Sequence, residues 1–343
     1  MFTSERFRER LDSSELTTVQ QSGLNMKFNH ILFPIDFSER SRALNKQVEW
    51  LSARFGSRVT LLHVFEIPAT WYAASEASYI NMDCLNDLRD SAQQRLNEYA
   101  IKVQEARVER VFAGGDATFE IVDWANEHDV DLIVMSTHGY GALQGFLLGS
   151  KTARVLQSAM CPVWTDSPLH PRASDPDISR ILCAVEMMDE SIPLLRFTDR
   201  LAQELGATVR LVHSVPEIEM RPNRYFDFDL HRYLQESARV EIAKMQREAA
   251  TEFPVTISGL GISNALSEAV SECGADLIVT GRGKAQNTLG RFQTHIYEIV
   301  RHAPCPVLSY SVNQPHRISS SPNLEHLSHS AADAQLPAGS PAS

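Results

Sequence analysis

The sequence predicts an α/β protein built from two doubly wound parallel sheets of five strands each, set in tandem. Three observations carry that prediction. First, four landmarks recur in the same order. HILFPIDF (30–37) matches RILCAVEM (180–187), and SRVTLLHVFE (57–66) matches ATVRLVHSVP (207–216). VDLIVMSTHG (130–139) matches ADLIVTGRG (275–283), and AMCPVWT (159–165) matches APCPVLS (303–309). The offsets are 150, 150, 145 and 144 residues, so the chain duplicates a unit of roughly 140 residues. Second, each unit alternates short, continuously apolar runs with longer amphipathic ones, the pattern of buried parallel strands covered by helices. Third, right-handed crossovers between such strands put helices on both faces of the sheet.

In the first unit, ILFPI reads as a strand. SERSRALNKQVEWLSARFG follows as one helix, with Ser38 as N-cap and Gly56 as its C-terminal stop. VTLLHV is the second strand, 83–106 a helix, and ARVERVF the third strand. ATFEIVDWANEHD is a helix with Ile121, Trp124 and Ala125 along one face, and DLIVM is the fourth strand. SKTARVLQSA is a helix and CPVWT the fifth strand. The second unit places strands near 180–185, 208–214, 255–259, 276–280 and 305–310. The expected organisation is a flexible extension over 1–26, a first domain over 27–166, a Pro- and Asp-rich linker over 167–178, a second domain over 179–311 and a disordered tail over 312–343.

Composition narrows the function. The 343 residues carry a formal charge of −11, which argues against a general nucleic-acid binder. No apolar run approaches the ~18–20 residues that span a bilayer, and the N-terminus has no secretory h-region, so no membrane partner is expected. The 5 cysteines, Cys84, Cys161, Cys183, Cys273 and Cys305, form no CxxC. That pattern fits a reducing, cytoplasmic setting.

Ligands of open parallel sheets bind outside the carboxyl ends of the strands. Three segments of the first unit fall there: Pro34-Ile35-Asp36, His63-Val64, and the loop from Ser136 to Thr152. The loop re-enters a helix near Ser150, and the free N–H groups of a helix N-terminus form an anion site. Glycines let a phosphate approach the backbone, Ser150 and Thr152 add hydroxyls, and Lys151 adds a cation. Two better-known phosphate motifs fail here. Gly145-x-x-x-Gly149-Ser150-Lys151-Thr152 lacks P-loop spacing, and Gly139-x-Gly141-x-x-x-Gly145 has one residue too many for a dinucleotide fingerprint.

With these residues in hand, the chain resembles the universal stress protein family in its tandem two-domain form. The family's Gly-x2-Gly-x9-Gly-(Ser/Thr) signature is matched by Ser136-x2-Gly139-x9-Gly149-Ser150, with serine in place of the first glycine. ILFPIDFS, LLHV, DLIVMSTHG and CPVWT supply the context. The resemblance implies an adenine-nucleotide alpha-hydrolase-like, Rossmann-like layer. It also implies that Pro34, Asp36 and Val64 line the adenosine end. Ser136, Thr137, His138, Gly139, Tyr140, Gly141, Gly149, Ser150, Lys151 and Thr152 would cradle the phosphates of ATP. The triphosphate carries about four negative charges, more than a helix N-terminus and Lys151 offset, so Mg²⁺ is expected with it. The resemblance further implies pairing through the last strands, as an internal pseudo-dimer, a homodimer, or both.

The second unit departs from the pattern. Asp36 becomes Glu186, Pro34 becomes Ala184, and the loop reads Gly281-Arg282-Gly283 before Gln293-Thr294. It is expected to bind nucleotide poorly or not at all and to serve as a docking partner. His63 and His213 read as satisfied structural histidines, and Cys161 and Cys305 as small buried apolar residues. His138 meets either phosphate or solvent. MRPNRYFDFD (220–229) reads as a helix lead-in, with a dimer surface as the less favoured alternative. No catalytic triad, paired carboxylates or metal set stands out. The favoured function is a stress-response regulatory protein that binds ATP in its first domain and acts through conformation or partner choice. A scaffold without nucleotide, and a slow ATPase or self-phosphorylating enzyme, are the alternatives.

Overall fold

The computed structural model describes residues 26–67, 82–137, 148–166, 177–187, 191–215, 225–282 and 292–311. The first repeat runs β1 (His30–Pro34), α1 (Glu39–Ala43), α2 (Asn45–Phe55), β2 (Arg58–Phe65), α3 (Met82–Asn97), β3 (Val108–Gly114), α4 (Ala117–Glu127), β4 (Leu132–Ser136), α5 (Ser150–Ser158) and β5 (Val163–Asp166). The second runs β6 (Arg180–Ala184), α6 (Ser191–Leu205), β7 (Thr208–Ser214), α7 (Tyr225–Ala249), β8 (Val255–Ser258), α8 (Ile262–Cys273), β9 (Leu277–Arg282), α9 (Phe292–His302) and β10 (Val307–Ser311).

The two five-stranded sheets are one. The order is β3-β2-β1-β4-β5-β10-β9-β6-β7-β8. Within each repeat every neighbouring pair is parallel, while β5 and β10 pair antiparallel. The junction is a local two-fold. Thr165 Oγ1 donates to the Val307 carbonyl (3.3 Å) and Ser309 Oγ donates to the Val163 carbonyl (3.1 Å). Trp164 faces Leu308 across it, and both are fully buried. Burying side chains of this size contributes about 2–3 kcal/mol each.

Side-chain alternation along each strand fills both faces. Ile31 and Phe33 join one cluster, with Leu61, Trp164, Leu277 and Leu308. Leu32 joins the other, with Leu62, Ile133, Val155 and Val307. Each cluster draws on both repeats, so the core is continuous across the junction.

Two expected helices differ from their predicted lengths. The segment read as one helix from Ser38 is divided at Leu44, whose N–H donates to Ser41 O (3.1 Å), a tightened 3₁₀-type turn. Its ends are as predicted: the Ser38 side chain caps α1, and Gly56 closes α2 at φ 71°. The helix expected over 83–106 stops at Asn97. The chain beyond it is held to α2 instead. Tyr99 OH donates to Asn45 Oδ1 (2.8 Å) and Lys102 N–H to Glu49 Oε1 (2.7 Å).

At the amino ends of the strands, Asp131 and Asp276 play one part twice. Asp131 Oδ2 accepts from the N–H groups of Asn29 (2.7 Å) and His30 (3.0 Å), and Asp276 Oδ2 accepts from those of Ser179 (3.1 Å) and Arg180 (3.0 Å). The first repeat adds a relay whose centre, His30 and Thr60, is buried. The Thr60 hydroxyl donates to Glu109 (3.2 Å), so it accepts from His30 Nε2–H (2.9 Å). His30 Nδ1 lies 2.8 Å from Arg58 Nη2 and 3.0 Å from the His128 carbonyl, which also accepts from Arg58 Nη2 (3.2 Å). Burial first, and the Arg58 charge second, push His30 down to about 4.

A fixed pH dependence results. The unfolded chain takes up the His30 proton near 6.5 and the folded chain near 4, so stability falls as pH drops through that window. The full shift corresponds to about 3 kcal/mol, and solvent at exposed Arg58 reduces it to about 2 kcal/mol. Denaturant unfolding of wild type and His30→Gln from pH 7 to pH 4 checks this: the variant shows the shallower loss.

Candidate functional site

The site begins where β1 ends. Pro34 is the last residue of β1 and has no N–H to leave unpaired; the next donor, Ile35 N–H, bonds Leu62 O (2.9 Å). Asp36 is not the helix cap. Its Oδ1 accepts from Ser38 N–H (3.0 Å) and Ser38 Oγ (2.6 Å), and Ser38 Oγ in turn accepts from Ser41 N–H (3.1 Å). Asp36 therefore orients the cap from the mouth of the sheet. Between them Phe37 adopts φ 60°, a left-handed conformation that costs a bulky residue about 1–2 kcal/mol. Its ring is buried between the His63 ring (centroids 4.3 Å) and the Arg95 guanidinium (4.3 Å), contacts that offset the strain.

On β2, His63 Nδ1–H donates to Ile35 O (2.9 Å), and burial lowers its pKa. His213 repeats the bond, to Val185 O (2.8 Å). Both rings fasten the end of one strand to the next, a structural role, although among the described residues the buried Nε2 of His213 has no partner and that histidine is only half satisfied. Val64 is half-buried beside Ala113 and packs on the face that α4 and α5 cover.

The third segment is pinned at both ends. Thr137 N–H donates to Asp166 O, Gly149 N–H donates to Thr137 O, and Thr152 Oγ1 donates to Ser136 O, each at 2.9 Å. Thr137 and Thr152 are buried. Ser136 ends β4 and is not among the positive-φ residues, so serine sits at the first signature position without strain. His138, Gly139, Tyr140 and Gly141 lie outside the described residues.

Two helix N-termini meet at this end of the sheet, and they differ. At α4, Asp116 Oδ1 accepts from Thr118 N–H (2.9 Å) and Phe119 N–H (3.0 Å), and Glu66 Oε1 accepts from Ala117 N–H (2.9 Å). At α5, Gly149 provides no side-chain cap. Among the described residues, no side chain is bonded to the first-turn amides of Ser150, Lys151 and Thr152, which carry the helix's positive end. Gly149 has φ −59°, which any residue adopts, so backbone conformation does not call for glycine there.

The sequence reading missed Glu66. Its second carboxylate oxygen, Oε2, pairs with Lys151 Nζ, so the cation expected to meet phosphate is held by an acid. Nothing marked it beyond position: the second repeat has Pro216 there.

In the second repeat, Glu186 and His295 stand where Asp36 and Lys151 stand in the first, 3.7 Å apart. The acid and base of one repeat that point to different partners pair with each other in the other. Gly283 and the side chains of Gln293 and Thr294 lie outside the described residues, as does 216–224, while α7 is already helical from Tyr225. Cys161 and Cys305 are buried, and burial pushes the Cys161 thiol up to about 12, as expected for apolar packing residues. Among the described residues, no group of three metal-ligating side chains occurs, and no helix is long and apolar enough to cross a membrane.

A sequence profile of the universal stress protein family matches residues 27–165 and again 178–310. The chain belongs to the universal stress protein family. The double match agrees with the tandem repeat read from the sequence and seen in the sheet. Universal stress protein A homolog 2 of Coxiella burnetii is 31% identical over 122 residues, 36% of this chain and 82% of that protein. Universal stress protein YxiE of Bacillus subtilis is 30% identical over 144 residues, 40% of this chain and 97% of that protein. A solved universal stress protein from Archaeoglobus fulgidus superposes with a TM-score of 0.58 at 20% identity, covering 84% of this chain and all of that one. That likeness shows the shared fold at tandem length.

The Glu66–Lys151 pair is half-exposed, and Gln at 66 still accepts from Ala117 N–H. Glu66→Gln should therefore lower stability by under about 1 kcal/mol in denaturant unfolding.

Proposed function

We propose that this universal stress protein binds an adenine nucleotide, ATP with Mg²⁺, at the carboxyl end of the first repeat's sheet. Occupancy would then set its conformation or its choice of partner. The observation that carries the reading is the contrast between the two helices: α4 is capped by two carboxylates, and among the described residues α5 presents its first-turn amides uncapped, beside loop ends that are pinned. Ser150, Lys151 and Thr152 supply donors for the phosphates, with Ser136, Thr137 and Gly149 at the loop's ends. His138, Gly139, Tyr140 and Gly141 belong to the same proposal. Pro34, Asp36 and Val64 border the adenosine end. The residues present fit a magnesium ion brought in with the nucleotide. Such an ion keeps waters and phosphate oxygens and needs only one or two carboxylates, of which Glu66 is the nearest to Lys151.

The Glu66–Lys151 pair also favours a second reading, a scaffold that binds no nucleotide, because the cation is already neutralised. In the first reading, phosphate takes Lys151 from Glu66. The second repeat, closed by Glu186 and His295, serves as the docking half in both.

Titration calorimetry of Mg–ATP into the full chain separates the two. One site is expected, with Gly149→Gln raising Kd more than tenfold by placing a side chain where phosphate meets backbone. No heat and no thermal shift at millimolar ATP, with folded protein, would leave the scaffold. Without magnesium, Glu66→Gln should bind ATP several-fold more tightly than wild type, since it removes a facing carboxylate and releases Lys151.

A further inference from the structure

Arg282 ends β9, at the position that Thr137 holds in the first repeat. The sequence reading put it in a degenerate phosphate loop. The structure instead extends β9 through it and turns its side chain into the other repeat. Nη1 donates to the carbonyls of Leu156 (2.6 Å) and Ala159 (3.0 Å), and Nη2 donates to that of Cys161 (2.6 Å). These carbonyls surround the C-terminal end of α5. The residue is buried, and among the described residues its Nε has no partner. A buried guanidinium carries a large desolvation cost, which these three carbonyls and the negative end of α5 offset, so Arg282 fixes the C-terminal end of that helix.

The other end of α5 is the uncapped N-terminus of the proposed site. That end is tied within its own repeat, through Thr152 to Ser136 and Gly149 to Thr137. The helix has 9 residues, a rod of about 13 Å, so a tilt at one end moves the amides at the other. Thr137, at the matching position of the first repeat, has no guanidinium with which to make the same contact to α9.

We infer that Arg282 is a positioning residue for the phosphate end of the first repeat's site, acting from the second repeat through α5. This deepens the nucleotide reading and rests on it. The residue that would have faced a ligand in its own repeat is spent on aiming the neighbouring site.

The test compares full-length wild type, Arg282→Met and Arg282→Lys by Mg–ATP calorimetry and amide hydrogen exchange. Arg282→Met should raise Kd at least tenfold and speed exchange at α5 at least tenfold, with α4 and α9 unchanged. Methylguanidinium added to Arg282→Ala should recover part of the affinity. Unchanged exchange at α5, equal acceleration across every helix, or faster α5 exchange with unchanged Kd each overturns the inference. A wild-type chain that takes up no nucleotide overturns the reading beneath it. If Arg282→Met does not fold, Arg282→Lys, which keeps the charge but reaches fewer carbonyls, is judged by the same two readings.

Discussion

The antiparallel contact of β5 with β10 is the constraint on which the rest depends. A five-stranded parallel sheet ends in a row of unpaired backbone groups beside its last strand, and each repeat covers the other's row. The pairing also fixes the register of two cores, because Trp164 and Leu308 meet at its centre and both clusters cross it. It brings β9 close enough to α5 for Arg282 to reach helix carbonyls in the other repeat. Without this seam there would be two separate α/β layers and no route between their sites.

Much of this was legible in the sequence, and the reasons are local. Continuous apolar runs gave the strands, because a parallel strand buried on both faces has no polar alternation to confuse it. Ser38 and Gly56 announced their helix ends because capping is a property of single residue types. The break at Leu44 and the early stop at Asn97 were not legible. Neither position has glycine or proline, and the chain after Asn97 leaves the helix for side-chain partners on α2 that are more than 50 residues away in sequence. At the carboxyl ends of the strands, Asp36, His63, Gly149 and Thr152 can be singled out by sequence because they stand at strand and helix ends. Glu66 and Arg282 were missed because their roles rest on tertiary contacts, an ion pair 85 residues apart and bonds more than 120 residues apart.

The duplication has been kept in backbone and released in chemistry. Both repeats hold the acid that receives the first strand's amides and the histidine that ties the second strand to the first, since these serve folding. They differ at the carboxyl ends of the strands. There the first repeat separates Asp36 from Lys151, and the second brings Glu186 to His295. The phosphate-loop position became an arginine that serves the neighbour. Divergence has gathered where a ligand would sit, and the frame that supports the site has stayed symmetric.

The seam also limits how copies of the chain can assemble. Both last strands, β5 and β10, have their hydrogen-bonding valence saturated within one molecule. Among the described residues the sheet terminates at β3 and β8. β3 carries Glu109 and Arg110, and β8 is four residues long and preceded by Pro254, features that discourage strand addition. A second copy therefore finds neither last strand open to pairing. The tandem chain holds both halves of its two-fold seam in one covalent molecule, so the seam forms at any protein concentration.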